Sequence, residues 1–95
     1  MKNHIQLLIE FSSRFDKDRK IAPINVKIAF REVLDMLLED KTSEILRNHS
    51  LDRFGKRYHG LWSIDVTMDW RAIYRKESNK IIFMMLRTHQ QLYGK

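Results

Sequence analysis

Residues 60–87, GLWSIDVTMDWRAIYRKESNKIIFMMLR, decide the fold. Gly60–Thr67 alternates: Trp62, Ile64 and Val66 point one way and Ser63, Asp65 and Thr67 the other, the period-two pattern of a strand with one buried face. Asp69–Lys76 is rich in aromatic and branched residues and puts Asp69, Arg71, Ile73 and Arg75 on a shared face. Glu77, Ser78 and Asn79 make a turn. Lys80–Arg87 is then almost continuously apolar, which is the signature of a central strand covered on both sides. Three strands joined by short turns read as an antiparallel meander.

Upstream the period changes from two to three or four. Asn25 is expected to cap a helix through VKIAFREVLDMLLED, in which Val26, Ala29, Phe30, Val33 and Leu37 form one core-facing stripe. Its Met and Leu residues are core packing. Before Pro23, Ser12–Lys20 (SSRFDKDRK) is polar and begins with serines suited to an N-cap, so a short surface helix is expected there. Ile5–Ile9 (IQLLI) is short and apolar, and suits a buried strand joining the same sheet. The expectation is a single α+β domain over residues 1–95: a short N-terminal strand, two helices, then an antiparallel strand meander packed on the helices. The sheet face away from the helices, carrying Ser63, Asp65, Thr67, Asp69, Arg71 and Arg75, cannot be fully buried and offers a place to hold a phosphate.

Charge points the same way. The chain has 95 residues and a net charge of +6. Residues 1–46 hold 8 Lys+Arg and 8 Asp+Glu, whereas residues 47–95 hold 10 and 4, so the whole excess lies in the C-terminal half. A one-sided basic surface favours a polyanionic partner through counterion release and steering. The absence of Cys excludes disulfides and thiolate metal sites and agrees with a reducing compartment. With no H-x-x-x-H and no tight carboxylate cluster, neither a metal nor a small-molecule cofactor is expected. The apolar run of MKNHIQLLIEF is too short for a signal peptide or a membrane span, so a cytoplasmic protein without a membrane partner is expected.

The stretches LRNHSL, GLWSIDVTMDWRAIYR and IIFMMLRTHQQLYG, in that order over residues 45–94, resemble the RelE/StbE superfamily of toxin–antitoxin ribonucleases, and its YafQ branch most closely. The T-H-x-x-L-Y-G ending and the D-W-R-x-I-Y strand carry the likeness together. The resemblance implies a RelE-like fold and a metal-independent endoribonuclease acting on mRNA, at the 70S ribosome in the YafQ branch. The 2′-OH attacks the adjacent phosphorus, leaving a 2′,3′-cyclic phosphate and a 5′-OH. It also implies a cognate antitoxin protein as partner, small, acidic and partly disordered.

Such chemistry needs a base for the 2′-OH, an acid for the departing 5′-oxygen, and positive charge around the phosphorane. By motif position the resemblance places His49, Asp69, Trp70, His89 and Tyr93 in the site. His89 is the expected general acid, because an imidazolium donates a proton and offsets phosphate charge. Asp69 and His49 are candidates for the base or its orienting group. Arg71 is a candidate for stabilising developing charge, or for a structural ion pair with Asp65 or Asp69. Tyr93, one helical turn past His89, is suited to stack on a base or to donate to a phosphate. Lys56, Arg57, Arg75 and Arg87, with Trp70, are the expected RNA contacts, although the parity of Trp70 with Ala72 and Tyr74 also fits the core. Where the YafQ-like pattern has a His in the strand before D-W, this chain has Asp65. That leaves the assignment of acid and base open, with His59 as a further imidazole nearby. The rival readings are a ParE-like toxin that binds gyrase without nuclease chemistry, and an inactive RNA- or antitoxin-binding relic.

Overall fold

The computed structural model of the chain describes residues 8–38, 49–51, 56 and 59–94. The elements are β1 (Leu8–Phe11), α1 (Ser13–Ile21), α2 (Ile24–Leu38), β2 (His49–Ser50), β3 (Leu61–Asp65), β4 (Trp70–Glu77), β5 (Lys80–Thr88) and α3 (His89–Tyr93). The strands form one sheet in the order β1-β5-β4-β3-β2, with β1 parallel to β5 and the other neighbours antiparallel. The α+β arrangement and the meander agree with the sequence reading. The first strand runs to Phe11 rather than ending at Ile9, while residues 5–7 of the expected strand lie outside the described residues.

α1 is more than a surface helix. Ser12 caps it, its Oγ accepting from the Phe15 amide, as the serine pair predicts. Phe15 itself is 0% exposed. It packs with Phe11, Phe30 and Phe83, ring centroids 5.0 to 5.4 Å from its own. One aromatic among eight polar or charged neighbours carries too little periodicity to announce this, but a single Phe buries enough area to dock a short helix.

α2 starts two residues earlier than expected. Pro23, not Asn25, takes the capping place, and its carbonyl accepts from the Val26 and Lys27 amides at 3.0 and 3.1 Å. Proline is pre-set for a helix start and lacks an N–H that would otherwise be orphaned there. Val26, Phe30, Val33 and Leu37 are buried as the stripe requires, with Ala29 at its margin. They meet Ile64, Ala72, Tyr74, Ile81, Phe83 and Leu86 from the sheet to make the main core.

The seam between α1 and β5 solves an edge problem. β1 pairs with β5 only as far as Phe83, which leaves the outer edge of the remaining strand unpartnered. α1 takes over: Ser12 Oγ donates to the Met84 carbonyl at 2.9 Å, and Asp18 Oδ2 accepts from the Leu86 amide at 3.0 Å. Buried backbone groups are thereby satisfied and the edge is covered.

A β-bulge in β5 sets which side chains face which way. Phe83 opposes Tyr74 and Met85 opposes Ile73, so Met84 is the extra residue. Before the bulge Ile81 and Phe83 face the helices; after it Leu86 does. Strict alternation from Phe83 would have sent Arg87 into the core. The bulge sends it to the opposite face.

That face is not the open polar surface the sequence suggests. Leu92 of α3 folds back over the sheet to join Leu51, Leu61 and Ile73 in a second, smaller core, flanked by Met84, Met85 and Tyr93. Ser63 is consequently 2% exposed. Thr67 and Asp69 also leave the strands. Val66 and Thr67 amides both donate to the Trp70 carbonyl, and Thr67 Oγ1 accepts from the Trp70 amide, closing a tight 66–69 turn between β3 and β4.

Candidate active site

Above the small second core, the 66–69 turn and the start of α3 meet. α3 begins where β5 ends, and the switch is made by Thr88. Its hydroxyl accepts from the Gln91 amide while the Gln91 side chain accepts from the Thr88 amide, a reciprocal capping box. His89 is therefore the first residue of the helix. Its backbone amide donates to the Asp69 carbonyl at 2.8 Å, tying α3 to the turn. Both His89 and Asp69 are exposed. Tyr93, one turn later, sets its ring edge-on to the His89 imidazole, centroids 4.6 Å apart and planes at 63°. Asp69, distant in the chain, is thus brought to His89 and Tyr93.

Arg71 stands beside them but is engaged. Its Nε lies 2.8 Å from Asp65 Oδ1. Its Nη1 donates to the carbonyls of Thr67, Met68 and Trp70 at 3.1 to 3.3 Å. Asp65 and Arg71 are register partners across β3 and β4, and Arg71 is in turn opposite Arg87 on β5. Two guanidinium groups directly opposite would repel. Each has its own carboxylate: Asp65 for Arg71, and for Arg87 the α1 residue Asp18, whose Oδ2 is 3.1 Å from Arg87 Nε. The row Asp65, Arg71, Arg87, Asp18 therefore reads as two cations held between two anions.

The remaining sequence-picked residues are more scattered. His49 sits on β2, in register with Ser63. Arg75 is exposed four residues beyond Arg71 along β4, paired in register with Leu61 and Ile82. Lys56 and His59 are exposed, the His59 amide donating to the Lys56 carbonyl at 3.0 Å ahead of β3. Trp70 lies on the helix side, half-buried against the main core, away from Arg71. Arg57 lies outside the described residues. The sequence does not single out Asp18. Asp18 lies 69 residues from Arg87, beyond any local signal, whereas the T-x-x-Q spacing at Thr88 is legible as a cap. Among the described residues no group of three or more His, Cys, Asp or Glu is placed to hold a metal, and no helix is long and apolar enough to cross a membrane.

The mixed five-stranded sheet with two helices on one face matches the RelE-like toxin fold. Three solved structures share it. E. coli YafQ from strain BL21(DE3) matches with 24% identity and a TM-score of 0.73, over 94% of this chain and all of its own. The E. coli DinJ–YafQ toxin–antitoxin complex matches with 24% identity and a TM-score of 0.74, over 95% of this chain and all of the matched one. The RelB–RelE antitoxin–toxin complex of Methanococcus jannaschii matches with 18% identity and a TM-score of 0.71, over 88% of this chain and 94% of the matched one. At such identities the likeness is one of fold. No curated protein sequence matches. The family model described as "Bacterial toxin of type II toxin-antitoxin system, YafQ" matches residues 7–94. The chain belongs to this YafQ family of type II toxins.

Proposed function

We propose that this single-domain toxin is a cytoplasmic endoribonuclease that cuts mRNA at the 70S ribosome and is neutralised by a cognate antitoxin. The observation that carries this reading is the junction of Asp69 with His89, an exposed carboxylate and an exposed imidazole joined through a 2.8 Å backbone hydrogen bond. Two groups able to take and give protons, carried on backbones joined to each other and open to solvent, suit in-line attack by a 2′-OH.

In this mechanism the base removes the 2′-OH proton and the oxygen bonds to the adjacent phosphorus. The P–O5′ bond breaks as His89 protonates the leaving oxygen. The products are a 2′,3′-cyclic phosphate and a 5′-OH. Asp69 is the base or orients it, with His49 as the further candidate. Tyr93 stacks on a base of the substrate, and its edge contact limits the rotation of the imidazole. Arg75 and Lys56, both exposed, provide attraction for the RNA backbone, joined by Arg57. No step needs a metal. Partnership with an antitoxin is supported by family membership and by the E. coli YafQ fold, which occurs in complex with DinJ.

The test is a defined message offered with ribosomes in two forms, all-ribose and with 2′-deoxy nucleotides at the cleaved positions. The all-ribose message should be cut to fragments ending in cyclic phosphate, and the 2′-deoxy message should survive. Equal cutting of both would rule out 2′-OH attack.

A further inference from the structure

We propose that Asp65 and Arg71 are a positioning pair that holds the 66–69 turn, and through it Asp69 and His89, in the geometry that cleavage needs. The inference rests on the ribonuclease reading above for its kinetic part. A guanidinium has five N–H donors in a rigid fork. In Arg71 the Nε side of that fork faces Asp65 at 2.8 Å, and Nη1 gathers the carbonyls of Thr67, Met68 and Trp70. Asp69 lies between two of those three carbonyl-bearing residues. Its own amide reaches Thr67 Oγ1 at 3.4 Å, and its carbonyl receives the His89 amide. The connected path runs from Asp65 to Arg71, to the turn, to Asp69, to the first residue of α3.

The same contacts argue against a direct electrostatic role for Arg71. Its side chain is 17% exposed and that of Asp65 22%, and the Asp65 Oδ1 atom is shielded from solvent. A phosphate approaching Arg71 meets a cation whose charge is already balanced by a carboxylate within contact distance. Asp65 then has a use that its charge would otherwise deny it near RNA. It is neither base nor acid; it fixes the rotamer of the arginine that fixes the turn. In a direct role, positive charge alone matters and Lys would largely substitute. In a positioning role, one ammonium cannot reach both the carboxylate and the fan of carbonyls, so Lys fails as Ala does.

Two measurements on the full chain test this: exchange of the His89 backbone amide with solvent, and the single-turnover cleavage rate on ribosomes. The variants are Asp65→Ala, Arg71→Ala, Arg71→Lys and each of the Arg71 changes combined with His89→Ala, with Lys76→Ala as a surface control. The expected result is faster His89 amide exchange in all three single variants, by about tenfold or more. Cleavage should fall by about a hundredfold in each, the scale of a misplaced reacting group, and should fall little further when Arg71 is changed in the His89→Ala background. Unchanged His89 exchange, near-normal cleavage by Arg71→Lys, or losses that multiply with His89→Ala would overturn the proposal. If the wild type cuts no RNA, the ribonuclease reading falls, and the exchange data alone still decide whether the pair holds the turn.

Discussion

The backbone amide of His89 and the backbone carbonyl of Asp69 are joined at 2.8 Å, which ties the end of β5 to the turn before β4. Everything else near the site serves that joint. Thr88 starts the helix at the right residue, Leu92 anchors it to the sheet, and Arg71 ties down the turn.

Tyr93 is the most direct probe of what the joint presents. Its ring meets the His89 imidazole edge-on, and it is only half-buried, leaving surface for a base. Tyr93→Ala should lower ribosome-dependent cleavage by about five- to a hundredfold, the worth of one base–aromatic stack. Tyr93→Phe should retain most activity, which a side-by-side cleavage assay would check. A phenylalanine variant as poor as alanine would assign the role to the hydroxyl.

Asp18 should matter for stability far more than its place on a short helix suggests. One carboxylate oxygen serves both the Leu86 amide and Arg87 Nε. Asp18→Ala leaves a strand amide without its acceptor and should cost about 1–3 kcal/mol, read as a lower urea midpoint. Asp18→Asn keeps a neutral acceptor and should cost less. The nearby exposed Lys17→Ala should stay within about 0.5 kcal/mol of wild type.

Tyr74 predicts how the fold responds to alkali. Burial in the main core pushes its phenol from 10.0 up to about 12. Because the folded-state value is the higher one, this contribution to stability is complete below pH 10 and is lost as pH rises toward 12. The loss amounts to about 2–3 kcal/mol at most, from 1.36 kcal/mol per pKa unit. Thermal melts from pH 9 to 11.5 should therefore fall less steeply for Tyr74→Phe than for wild type. Parallel slopes would mean that the phenol ionises in the folded state as it does in the unfolded chain.

The parts of this molecule that were legible in the sequence are those with a clear period. The α2 stripe from Val26 to Leu37 and the alternation ending at Ile64 and Asp65 specify helix, strand and buried face. The run Ile81–Leu86 does not, because a strand apolar on both sides carries no phase. The Met84 bulge is therefore invisible, and with it the face on which Arg87 emerges. Phe15 was missed for a similar reason, being one aromatic in a polar segment. In the site, the resemblance selected His89, Asp69 and Tyr93, and the fold brings them together. The spacing of Asp65 and Arg71 leaves open whether they touch; β3–β4 register makes them partners. Asp18, contributed by a helix some seventy residues away, lay beyond any local pattern.

His89 as the general acid of RNA cleavage is tested by primer extension on a defined message with 70S ribosomes, comparing wild type with His89→Ala. Cuts should appear with the wild type and weaken by about a hundred- to ten-thousandfold with the variant, the usual worth of a positioned general acid. No cuts from folded wild-type protein, or equal cutting by a folded His89→Ala, would contradict the account.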